Sequence, residues 1–188
     1  MSLFHTGTAT REARDTALRR ELCGTRRTCG LESTRGAAMP RIELTVDVNA
    51  PVQKVYEVAR DVEAFPDFME DLQSLTVLER SDDGNRTVTE WVGVIREFKM
   101  TVRWTQEDRW DPANHRDDFN LIKGDMDSMS GYWQFHPING STRFECVVEY
   151  EYNVPLIGPM IKQLIRKKME ANLRAQMEAI KARAEETS

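Results

Sequence analysis

Residues 160–188 contain neither Gly nor Pro, and their apolar residues fall on one stripe. Ile157, Ile161, Leu164, Ile165, Met169, Leu173, Met177 and Ile180 recur three and four residues apart. That spacing puts them on one face of a long helix. Such a helix is marginal alone in water, so its apolar face has to lie on something. The turn Val154-Pro155-Leu156-Ile157-Gly158-Pro159 precedes it, and before that turn the chain alternates as β-strands do. A long helix laid over a curved antiparallel sheet can enclose a cavity.

Strand signals begin at Arg41–Val48, where Ile42, Leu44, Val46 and Val48 share one parity and polar residues the other. Asn49-Ala50-Pro51 reads as a helix start, with Asn49 as its cap, and Val52, Val55, Tyr56 and Ala59 as a buried face. Asp61 is placed to cap a second short helix leading to Phe65-Pro66-Asp67-Phe68-Met69. Six further strands follow, near 72–80, 86–95, 98–110, 116–123, 128–136 and 143–154. Ser81–Asn85 and Pro137–Gly140 read as hairpin turns. The order predicts an α+β fold: a curved seven-stranded antiparallel sheet, two short helices and a long C-terminal helix enclosing a cavity.

Charge divides the chain of 188 residues in two. Residues 1–38 hold seven Arg against four acidic residues, whereas residues 39–188 hold 19 basic against 27 acidic. The first stretch lacks any sustained period and reads as a disordered N-terminal extension. A natural start at Met39 and an Arg-rich transit peptide are its other two readings, the four acidic residues counting against the latter. Residues 39–188 form the single ligand-binding domain in this reading. Its acidic balance argues against nucleic-acid binding. No apolar run reaches the roughly 18 residues of a membrane span. Cys23, Cys29 and Cys146 are too few and too scattered for a disulfide framework, which suits a reducing, cytoplasmic setting.

Four stretches resemble the helix-grip fold of the START-like superfamily, most closely its coenzyme Q-binding START-domain proteins and the polyketide cyclase/dehydrase group. They are Val48-Asn49-Ala50-Pro51-Val52 with Val55-Tyr56, then Asp61–Met69, then Gly131-Tyr132-Trp133-Gln134-Phe135, and the long C-terminal helix. The resemblance spans about residues 40–184. Phe68-Met69-Glu70-Asp71 departs from it by placing two acids where many members carry Pro-Trp. The superfamily holds lipid carriers, quinone-binding proteins, cyclases and a toxin of ribosome association, so the fold leaves activity open. It implies a hydrophobic ligand: a polyprenyl quinone, a lipid or a polyketide-like aromatic.

The residues themselves exclude several chemistries. His5, His115 and His136 have no metal-ligand spacing, and no Gly-rich phosphate loop or G-x-S-x-G elbow occurs. We therefore expect no metal and no cofactor, and assign no catalytic residue. The candidate ligand-binding residues are Phe65, Phe68, Met69, Trp104, Trp133, Tyr150, Tyr152, Ile161, Leu164, Ile165 and Met169. Each also suits a plain core. As a set they suit a mostly apolar pocket with a few hydroxyls. The entrance is expected between the Pro155–Pro159 turn and Phe65–Met69.

Carriage is the leading reading, and a cyclase or dehydratase acting in the same cavity is the rival. For the rival, Glu90, Arg103, Asn120, Tyr150 and Tyr152 form the pool of acid/base and enolate-stabilising groups. The parity of Glu90 and Trp91 leaves open which of them faces inward. A buried carboxylate or Arg facing the same cavity as Tyr150 favours the enzyme, and an apolar cavity with hydroxyls alone favours the carrier. A ribosome-association role is the third reading. Arg166-Lys167-Lys168 offers a solvated helix face or a transient contact with an anionic membrane surface. The oligomeric state is not legible.

Overall fold

The computed structural model describes residues 40–96, 99–152 and 159–186, with the side chains of Met100 and of residues 159–162 outside that description. The readings for residues 1–38, for the Val154–Gly158 turn and for the side chain of Ile161 therefore lie outside the described residues. The elements in chain order are β1 (Arg41–Val48), α1 (Val52–Arg60), a 3-10 turn (Val62–Ala64), α2 (Phe65–Phe68), β2 (Leu72–Arg80), β3 (Arg86–Ile95), β4 (Met100–Asp111), β5 (Arg116–Gly124), β6 (Ser128–Ile138), β7 (Ser141–Glu151) and α3 (Pro159–Glu186).

All seven strands join one antiparallel sheet in the order β1-β7-β6-β5-β4-β3-β2. Apart from β1, which returns to pair with β7, every strand lies beside its sequence neighbour. The expected α+β helix-grip architecture is the one observed, and the sheet does not close into a barrel.

The alternation in β1 is complete: Ile42, Leu44, Val46 and Val48 are buried and the residues between them exposed. Their partners in β7 are Val148, Cys146, Phe144 and Thr142, so both strands turn the same face inward. The turn after β6 is tighter than the four-residue stretch expected. Ile138 pairs with Ser141, leaving Asn139 and Gly140 as a two-residue loop with φ of 47° and 89°. Positive φ at both positions matches the twist of the flanking strands and favours Asn-Gly.

Neither expected cap forms. Pro51 precedes α1 and Asp61 precedes the 3-10 turn, each without a side-chain capping bond. Asn49 instead donates its backbone N–H to Glu185 Oε1 at 2.7 Å, a tie to the far end of α3. Helix α3 packs mainly on β1 and α1. Met177, Ile180 and Ala184, in its last turns, are each 0% exposed. Its earlier turns lie over the concave face of the sheet, where the cavity is.

Candidate ligand cavity

A cavity of about 790 Å³ lies between the concave sheet face and α3. Pockets for small organic ligands fall in the range of roughly 300–1,000 Å³. Inward-facing residues of successive strands build its wall: Trp91 on β3, Trp104 and Trp110 on β4, Phe119 on β5, Trp133 on β6 and Tyr150 on β7. All four Trp of the sequence are among them. The opposite wall is the stripe of α3, from Leu164 and Ile165 to Leu173 and Ala179.

The rings fix one another. Trp91 and Trp104 are partners in the β3–β4 ladder and their rings stack. Trp133 sits edge-on to Phe119 and Phe144, with ring centroids 6.3 and 5.5 Å away. Gly131 makes that cluster possible. A Cβ there would stand 2.1 Å from the Val147 carbonyl oxygen and 2.7 Å from the Phe119 ring, so only Gly lets the ring lie against the strand.

The expected site residues separate on inspection. Phe68, Met69, Trp104, Trp133, Tyr150, Tyr152, Leu164, Ile165 and Met169 line the cavity. Phe65 does not: it is fully buried behind the wall, in edge contact with Phe68 and Trp91. Its place among candidate ligand contacts is corrected accordingly, because the ring is used up in packing. The acid/base pool is corrected too. Glu90, Arg103 and Asn120 are exposed on the outer face of the sheet, so of that pool only Tyr150 and Tyr152 reach the cavity. Trp91, not Glu90, faces inward. No ion pair between Glu90 and Arg103 occurs among the described residues; Glu90 stands opposite Thr105, and Arg103 opposite Val92.

The cavity also holds polar groups that pattern reading missed. Gln106, Asp108 and Asp117 line it. Gln106 and Asp108 continue the parity of Trp104 and Trp110, and Asp117 has that of Phe119, so parity was the available signal. Gln106 and Asp108 belong to a buried chain of hydrogen bonds. Trp91 Nε1 donates to Thr89 Oγ1 at 2.8 Å, and Thr89 Oγ1 donates to Asp108 Oδ2 at 3.0 Å. Gln106 Nε2 donates to Asp108 Oδ1 at 2.6 Å, and Trp104 Nε1 donates to Gln106 Oε1 at 2.8 Å. Thus each indole of the stacked pair is tied, through one intermediary, to the same carboxyl.

Burial pushes the Asp108 carboxyl up to about 6, against the pull of the bonds from Gln106 and Thr89. Burial, then the nearby Asp108 charge, holds Asp117 well above the usual carboxylate range. Burial likewise raises Tyr150 and pushes the Cys146 thiol up to about 12, which leaves that thiol inert. Among the described residues no three His, Cys, Asp or Glu are grouped to hold a metal ion. No described helix is long and apolar enough to cross a membrane.

Comparison with known proteins places these features. The family model described as "Polyketide cyclase / dehydrase and lipid transport" matches residues 48–177. Ribosome association toxin RatA of Escherichia coli (strain K12) is 26% identical over 141 residues, covering 71% of this chain and 84% of the toxin. The crystal structure of TTHA0849 from Thermus thermophilus superposes with a TM-score of 0.74 at 31% identity, over 79% of this chain and 99% of that one. That of Zhui aromatase/cyclase from a Streptomyces species superposes with a TM-score of 0.72 at 21% identity, over 78% and 94%. The last of these, at such low identity, speaks for the fold alone.

Proposed function

The chain belongs to the polyketide cyclase / dehydrase and lipid transport family, and on that basis we propose that it takes an apolar, ring-bearing small molecule into the cavity under α3, for carriage or presentation. The observation that carries this reading is the cavity wall, about 790 Å³ of space lined by four Trp. Apolar surface leaving water contributes about 25 cal/mol per Å², less the cost of immobilising the ligand. An acyl chain gains that area and little else. A flat ring gains roughly 0.5–1.5 kcal/mol more for each aromatic partner it meets in good geometry. Polyketide-like aromatics and quinone head groups therefore rank above simple lipids. The reading assigns binding to residues 39–188 alone.

A specific observation favours the second reading, a cyclase or dehydratase. Two buried carboxyls, Asp108 and Asp117, face the same cavity as Tyr150. Groups of raised pKa in an enclosed apolar site are what acid/base chemistry on a carbonyl compound requires. The similarity to a ribosome association toxin supports a macromolecular role instead. The 19 basic against 27 acidic residues in 39–188 argue against direct contact with ribosomal RNA. Exchange with a membrane would use Arg166 and Lys167, near the exposed Leu164.

Native mass spectrometry of protein from its own host, with organic extraction of the bound material, tests the proposal. A ring-bearing apolar compound at near-stoichiometric amount supports it. Turnover of an added poly-β-keto substrate by the purified protein moves the reading to the enzyme. Co-purification with ribosomes and an empty cavity overturns it.

A further inference from the structure

Asp117 is 1% exposed, lines the cavity, and has no hydrogen-bond partner for its Oδ1. Asp108, 2% exposed on the adjacent strand, accepts from both Gln106 and Thr89. The two are diagonal neighbours, since Asp108 pairs with Phe119 and Asp117 with Trp110. No ion pair among the described residues reaches either carboxyl. A buried polar atom left without a partner costs about 1–3 kcal/mol. In a wall built mainly of rings and aliphatic side chains, packing gives no reason to keep the unpartnered carboxyl of Asp117.

We infer that Asp108 and Asp117 form the polar end of the ligand site, with Asp117 as a protonated carboxyl donating a hydrogen bond to a carbonyl oxygen of the ligand. This rests on the cavity reading above and narrows its ligand class to ketones and quinones. The two carboxyls divide the work by their partners. Asp108 has donors on both oxygens and so takes the ionised role. Asp117, with an unpartnered oxygen beside that charge, holds the proton. A protonated carboxyl is a donor as well as an acceptor, which a carboxylate is not.

The titratable groups around Asp117 come from every packed element. Tyr56 on α1 stands near enough for its charge to interact with Asp117, and with Asp111 at the end of β4. Arg116 and Asp118 flank it on β5. Tyr150, Tyr152 and Lys168 face the same cavity, and Glu70 and Asp71 stand on its α2–β2 side. Lys168 is the only basic side chain among the described residues that line it.

The test compares three probes on the full chain by tryptophan fluorescence quenching from pH 6 to pH 9: naphthalene, 2-acetylnaphthalene and 2-(aminomethyl)naphthalene. The ketone is expected to bind about tenfold more tightly than naphthalene at the low end, which is the value of one buried hydrogen bond. That preference should shrink as pH rises and Asp117 loses its proton. Asp117→Asn keeps an N–H donor that does not titrate, so its preference for the ketone should persist at all pH. Asp117→Leu should lose the preference for the ketone over naphthalene at every pH. Equal affinity for ketone and naphthalene in the parent at every pH overturns the inference while leaving the cavity reading intact. So does an ammonium probe that outcompetes the ketone and gains with rising pH, which identifies a cation site. Failure of all three probes to bind overturns the cavity reading and the inference with it.

Discussion

Trp91 and Trp104 stand opposite each other in the β3–β4 ladder, their rings stacked at 5.4 Å with planes 14° apart. Both rings line the cavity, but Trp91 is also buried in the core cluster, whereas Trp104 is half-buried and packs against that cluster. Gly93, two residues from Trp91, leaves room for the Trp104 ring: a Cβ there would come within 3.3 Å of it.

Truncating these rings should therefore have different consequences. Trp91→Ala is expected to cost about 3–5 kcal/mol of stability, as for a large core aromatic. Trp104→Ala should cost less stability and weaken binding of a flat-ring ligand by about tenfold, the value of one good ring contact. Urea denaturation together with ligand titration checks the split. Equal stability losses with unchanged binding would place Trp104 in the core and off the site.

Gly131→Ala should destabilise the fold strongly. The added methyl meets the Val147 carbonyl oxygen and the Phe119 ring at distances real side chains do not adopt. Overpacking typically costs about 1–3 kcal/mol. With Tm shifting about 2–4 °C per kcal/mol in a domain of this size, thermal melting should show a drop of several degrees. An unchanged melting temperature would mean that β6 and β7 separate there without cost.

Thr89→Val removes the hydroxyl that receives from Trp91 and gives to Asp108. Two buried groups lose a partner, so a loss of about 1–3 kcal/mol is expected, far more than an exposed Thr would show. Asp108 also loses one of the bonds that favour its ionised form, so its pKa should rise further. Denaturation curves and carboxyl chemical shifts report the two effects separately.

Stability should depend on pH through the buried acids, and the sign is opposite to that of a salt-bridged carboxylate. In the unfolded chain an Asp titrates near 3.9. Asp108 titrates at about 6 in the fold, and Asp117 is raised well above its ordinary value. The folded state thus holds its protons more tightly. The advantage is fully present below the unfolded value and is lost as pH rises through the folded values. Relative to Asp117→Asn, the parent should lose stability steadily from about pH 4 upward. A difference between the two that stays flat with pH would mean that Asp117 is ionised in the fold at no cost.

Much of this fold is legible in the sequence, for a physical reason. Ile42, Leu44, Val46 and Val48 alternate cleanly because β1 has core on one side and water on the other. β3 gives no such clarity, because Val88 and Val92 on its outer face are as buried as Thr89 and Trp91 on its inner face. With buried residues on both faces, period two carries no direction, and Glu90 could not be assigned. The buried polar residues of the cavity are harder to read. Gln106 and Asp108 share the parity of Trp104, but polar residues inside a strand ordinarily signal exposure, and a cavity is where that equation breaks. The tie from Asn49 to Glu185 spans 136 residues, and no local capping pattern anticipates it.

Helix α3 is held unequally along its length. Its last turns are clamped by Met177, Ile180 and Ala184, and Glu185 is bonded to Asn49. Nearer its start, Arg166 donates to the Arg41 carbonyl oxygen at 3.3 Å, and the turns around Leu164, Met169 and Leu173 lie over the cavity. In mechanical terms it is a beam fixed firmly at one end and tied lightly towards the other. Under the proposed function, a load in the cavity would bend the lightly tied part without breaking a rung of the sheet, because the β-ladder does not run through the beam.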